Sequence, residues 1–140
     1  MPLSTQDALI YLMIVTASSD TSLTDQELKR IDGLVGRLPV FEGYERGQLA
    51  VVANRCADLI NGSTGLEGVL DMAVAAIPQR LHDTAYSLAV EIAAVDLRLE
   101  QEELRLLEMI RDRMELDRLL TAAIEAAARA RHRRLNALNG

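Results

Sequence analysis

Apolar residues recur along this chain in blocks of helical period, separated by short polar or glycine-containing joints. Ala8 to Ala17 is apolar nearly all round, which predicts a helix buried on every side. Ser4-Thr5-Gln6-Asp7 ahead of it offers an oxygen cap and an acid in the first turn, and Ser18-Ser19-Asp20 ends it. Thr24 opens a second helix with Leu28, Ile31, Leu34 and Val35 on one face, closed by Gly36, Leu38 and Pro39. Phe41 to Gly47 reads as a loose turn. A third helix is expected from about Glu45 to Ile60, stopping at Asn61-Gly62. Thr64 and Glu67 have the spacing of a capping box for a fourth helix ending near Ile77. Pro78 suits the first turn of a fifth, whose stripe is Leu81, Ala85, Leu88, Ala89, Ile92 and Ala93. A sixth covers about Gln101 to Arg113 with Leu104, Leu107 and Ile110 inward, and a seventh runs from near Asp117 to about Leu135. The pattern predicts an all-α fold of about seven helices in a single domain, with no linker to divide it.

Two of these joints repeat one another. Asp20, Leu23, Glu27 and Leu28 have the same spacing as Asp96, Leu99, Glu103 and Leu104. A constant offset of 76 residues superimposes them and also places Asp7 on Asp83, Leu12 on Leu88, Ala17 on Ala93 and Arg37 on Arg113. This is the signature of an internal duplication over residues 7–38 and 83–114, each copy a helix, an acidic loop and a second helix. Two pseudo-symmetric halves are the expected result.

Composition sharpens this picture. The chain of 140 residues is 49% hydrophobic but only 3% aromatic, which disfavours a sheet and supports a helical core. A net charge of −6 argues against a general nucleic-acid binder. The single cysteine, Cys56, lies in an apolar helical run and reads as a buried, inert thiol. The start has no basic region followed by a cleavage site, and the longest apolar runs fall far short of a membrane span. A cytoplasmic, soluble protein is the expectation.

The familiar catalytic patterns are missing. The Gly62-Ser63-Thr64-Gly65 corner lacks the lysine of a phosphate-binding loop. His82 and His132 fall on different helices, and neither has an acid three residues before it, as a di-iron bundle needs. No Cys/His cluster could hold zinc. A non-enzymatic protein is therefore expected, and the acidic loops are left to carry function.

Those loops have two readings. Thr24 with Glu27 makes a capping box, and Leu23 with Leu28 makes a hydrophobic staple; Leu99, Glu103 and Leu104 repeat the pattern. Helix-start chemistry thus accounts for the leucines and glutamates. Asp20 and Asp96 sit at the negative end of a helix dipole, where an acid is unfavourable unless a cation or a turn compensates it. A metal held by Asp20, Glu27, Asp96 and Glu103 would explain all four acids, and carboxylates alone favour calcium or magnesium over zinc. The spacing is not that of an EF-hand.

A helix ending in small residues and Asp, with an apolar residue at +3 and Glu at +7, occurring twice in a seven-helix chain, resembles the TerB-like tellurite-resistance family. The likeness runs from about Ala8 to Ala130. The family pattern reads Ala-Asp-Gly-x-Ile/Leu-x-x-x-Glu; here Thr21 and Leu97 stand in the glycine positions. The resemblance implies a helical domain of pseudo-symmetric halves in the bacterial cytoplasm, with a role in tellurite resistance or chemical-stress response. It also implies divalent-metal binding by Asp20, Glu27, Asp96 and Glu103, and association with other proteins, some of them membrane-bound.

The end of the chain, residues 129–140, opens with Arg129-Ala130-Arg131-His132-Arg133-Arg134, a basic tail on an acidic protein. It reads first as a solvated helix end that complements the dipole, then as a contact for an anionic membrane surface or an acidic partner. Two functions remain in view: a module whose paired loops bind a divalent cation in a stress response, and an all-helical protein–protein interaction module whose acidic loops are purely structural.

Overall fold

A computed structural model describes residues 3–17, 23–94 and 101–135, the side chains of 101–103 not among them. The chain forms α1 (Thr5–Ala17), α2 (Asp25–Arg37), α3 (Leu49–Asn61), α4 (Gly65–Ala76), α5 (His82–Ala93), α6 (Gln101–Met114) and α7 (Arg118–Arg131). Short 3-10 turns lie at Pro39–Phe41, Arg46–Gln48 and Gln79–Leu81, and no strand occurs among the described residues. The all-α, single-domain expectation holds.

The uniformly apolar first helix takes the central place. Every residue from Ala8 to Thr16 is buried. Its start is set by Ser4, whose Oγ accepts the Asp7 N–H at 3.1 Å. Packing on α1 come chiefly α3, α4 and α5, with α2 and α6 in lesser contact. Each fully buried Leu or Ile here removes enough surface from water to contribute roughly 1.5–3 kcal/mol. The polar Thr16 is accommodated because its hydroxyl donates to the Leu12 carbonyl at 2.8 Å.

Two hydrogen bonds fix how the central helices sit. Thr5 Oγ1 donates to the Ala76 carbonyl at 3.1 Å, and His82 Nε2 lies 3.0 Å from the Ile77 carbonyl. The first residues of α1 and α5 therefore meet at the C-terminal end of α4, and the two helices pack against each other. Element bounds also follow the 76-residue offset seen in the sequence. α1 starts at Thr5 and α5 at His82, and α2 ends at Arg37 and α6 at Met114, in each case within one residue of that offset.

Several local expectations are corrected. α3 starts at Leu49 rather than near Glu45, because the segment before it is spent on two 3-10 turns around Gly43, whose φ of +82° suits only glycine. Gly36 lies inside α2 rather than ending it; the helix closes at Leu38, and the missing side chain of Gly36 leaves room for the Arg46 guanidinium. Thr64 makes no side-chain cap: its backbone is already helical (φ −64°, ψ −45°), whereas a capping hydroxyl needs an extended residue. Pro78 precedes a 3-10 turn, and α5 begins only at His82. In α6, Leu104 is 47% exposed and Leu106 takes the inward position beside Leu107 and Ile110. α7 stops at Arg131, short of Leu135.

Candidate functional site

Of the four acids singled out in the sequence, Glu27 has the surroundings of its side chain defined. Thr24 is extended (φ −76°, ψ 159°) and its Oγ1 accepts the Glu27 N–H at 3.1 Å. In return Glu27 Oε1 accepts the Thr24 N–H at 2.9 Å. This reciprocal box satisfies two of the donors that a helix start leaves free. Leu23 and Leu28 flank it, both partly buried against the core, as a staple requires. Asp20 and Asp96 lie outside the described residues, as does the Glu103 side chain; its backbone sits in the first turn of α6. Leu99, the other half of the second staple, lies outside them too.

A metal reading of Glu27 has to contend with that box, because one carboxylate oxygen is already engaged by a backbone donor. The residue fits a helix start better than a freely turning ligand. Among the described residues, no group of three or more His, Cys, Asp or Glu side chains is placed to hold an ion.

Other polar groups converge elsewhere, and each ties two elements together. Tyr44 donates its hydroxyl to Asp7 Oδ1 at 2.9 Å, fastening the turn after α2 to the start of α1. Tyr86, fully buried on α5, donates to Glu125 Oε2 of α7 at 2.5 Å, and Arg111 of α6 approaches the same oxygen at 3.4 Å. Burial first, and the carboxylate partner second, push both phenols above their ordinary pKa, so they stay protonated donors. Sequence patterning missed this junction of α5, α6 and α7. The available signal was a tyrosine on a stripe otherwise made of Ala, Leu, Ile and Val, since a buried phenol needs a partner.

The basic tail is anchored rather than wholly solvated. Arg131 Nη2 donates to Glu91 Oε2 at 2.5 Å, and His132 Nε2 lies 2.9 Å from Glu91 Oε1. Burial would raise the pKa of Glu91, but the hydrogen bonds and charges of Arg131 and His132 outweigh it and hold the carboxyl below its ordinary range. Cys56 is fully buried and its thiol is pushed up to about 12, so it is protonated and inert, as the sequence suggests.

The described residues also frame concavities on the surface. An open groove of about 490 Å³ lies between the Pro39–Phe41 turn, α5 and α7, lined mainly by apolar side chains. A smaller recess of about 240 Å³ sits between α5, α6 and α7, beside Tyr86, Arg111 and Glu125. No family model, curated protein or solved structure matches this chain.

Two outcomes are expected. Replacing Thr24 by Ala removes one side of the box and should lower the unfolding free energy in urea by about 1 kcal/mol; an unchanged midpoint would show that the box contributes nothing. Glu91 has a depressed pKa in the fold, so its stabilising contribution is complete above the unfolded carboxylate value, near 4.3. That contribution is lost as pH falls through the folded value. Glu91→Gln should therefore destabilise the protein at neutral pH, and the gap to the parent should close as urea titrations are repeated at progressively lower pH below about 4. A gap that is independent of pH would contradict the ion-pair account.

Proposed function

We propose that this chain is a non-enzymatic, all-helical interaction module that acts by binding other proteins, its acidic loops serving as helix starts. The observation that carries the reading is the reciprocal Thr24–Glu27 box, which gives Glu27 a complete structural role without a ligand. The other buried or half-buried acids point the same way. Asp7, Glu91 and Glu125 are each engaged with a tyrosine, arginine or histidine from a different part of the chain. At the same time, large apolar side chains are turned outward. Leu119 is 79% exposed, Val51 58% and Leu104 47%, a distribution suited to contact with partner surfaces.

A second reading keeps the TerB-like assignment in full: a tellurite-resistance or stress-response protein whose loops bind calcium or magnesium. Its support is the duplication. α1 and α5 begin together beside α4, and the helices on either side of both acidic loops keep the 76-residue offset. Asp20 and Asp96 would then be the chief ligands, with Glu27 and Glu103 supplying whatever their helix-start bonds leave free.

Calorimetric titration of chelator-treated protein with calcium, magnesium, manganese and zinc separates the two. The interaction-module reading predicts no heat beyond dilution and no thermal shift with any of these ions. Saturable binding that disappears in the Asp20→Asn/Asp96→Asn double variant would overturn it in favour of the metal reading.

A further inference from the structure

We propose that the recess between α5, α6 and α7 is a binding site for a small carboxylic acid with an apolar body, its carboxylate held by Arg111 and Arg129 and its chain laid on Val90 and Leu107. The site goes beyond the interaction-module reading and does not depend on it. Each helix gives one face to the recess: Val90 and Ala93 on α5, Leu107 and Arg111 on α6, Glu125 and Arg129 on α7. The members of each pair are three or four residues apart, and so lie on the same side of their helix.

The first half of the chain offers a comparison. The 76-residue offset sets Ile10 opposite Tyr86, Ile31 opposite Leu107 and Val35 opposite Arg111. Ile10, Ile31 and Val35 are all buried in the core. The second half keeps an apolar residue at Leu107 but has a phenol and a guanidinium at the other two positions, beside an open volume of about 240 Å³. Stability does not account for that exchange. Arg111 reaches Glu125 only at 3.4 Å, and the two side chains are 36% and 28% exposed, the kind of ion pair that contributes little. An apolar pair in their place would need no hydrogen-bond partners at all.

The donors left over point to an anion. Glu125 is committed, since its Oε2 accepts the Tyr86 hydroxyl at 2.5 Å and faces Arg111. That long contact engages one N–H of a guanidinium fork that carries several more. Arg129 is exposed and makes no ion pair among the described residues. Glu108, the other acid in the lining, is exposed, and the offset sets it opposite Asp32; an acid at this place is common to both halves and not peculiar to the recess. Guanidinium groups match the two oxygens of a carboxylate, and Leu104, 47% exposed, extends the apolar wall beside them. The volume equals that of about eight waters at roughly 30 Å³ each, which suits a short chain or a single ring.

Chemical-shift titration of the whole chain tests the site, with hexanoate and phenylacetate as probes and hexanol and acetate as controls. Both probes should bind saturably and shift the amides of Val90, Leu107 and Glu125. Hexanol and acetate should each bind about ten-fold more weakly or worse, a difference of about 1.4 kcal/mol. Arg111→Val installs the residue found at the matching position of the first half, and Arg129→Gln alters an exposed side chain. Each should weaken hexanoate by a similar factor while the urea midpoint stays near that of the parent. The absence of a saturable shift with either acid overturns the proposal. Equal affinity for hexanoate and hexanol, or an affinity unchanged in both variants, overturns it as well, because the arginines would then hold no carboxylate. The metal titration that decides the interaction-module reading is independent of all these results.

Discussion

A helix without a polar face can exist in water only if other elements surround it, and α1 imposes that requirement on the rest of the chain. From Ala8 to Thr16 no residue is more than 3% exposed, so the helix must be covered on every side. α3, α4 and α5 provide most of the cover, and α2 and α6 close the remaining gaps. Hydrogen bonds at the ends of the helices set the arrangement: Thr5 to Ala76, His82 to Ile77, Tyr44 to Asp7. Apolar burial supplies most of the driving force but has no direction, whereas these bonds carry geometry.

The outer helices are held differently. α7 buries little of itself, Thr121 and Ala128 being its fully covered positions, and it relies on polar ties at two levels. Glu125 joins it to Tyr86 and Arg111 midway, and Arg131 with His132 joins it to Glu91 at its end. The cations near its C-terminus also complement the helix dipole. This economy of burial leaves Leu119 exposed and Leu120 partly so, with Leu120 lining an apolar groove.

Fold class and helix order were legible because the determinants are periodic and local. The stripe Ile31, Leu34, Val35 and the all-apolar run of α1 predicted their burial, and Thr24 with Glu27 predicted the capping box down to its atoms. The errors came where a residue pattern has more than one backbone solution. Thr64 and Glu67 have the right spacing for a box, but Gly65, at φ +69°, enters the helix by a different path. Leu104 fits the inward stripe of α6, yet that helix is rotated so that Leu106 faces the core. Glu125 was not legible at all, because its partner Tyr86 is 39 residues away and no period links a carboxylate on one helix to a phenol on another. Of the predicted ligand set, Glu27 is explained as a helix start; Asp20 and Asp96 fall outside the described residues and keep the two functional readings distinct.

α1 is the element that α2 to α6 must cover. Amide hydrogen exchange read residue by residue tests this most directly. The amides from Leu9 to Val15 should exchange only through global unfolding, with the free energy obtained from urea titration, while those in the first turns of α2 and α7 exchange through smaller, local openings. Exchange in α1 that is faster than in α7, or that occurs without global unfolding, would contradict it.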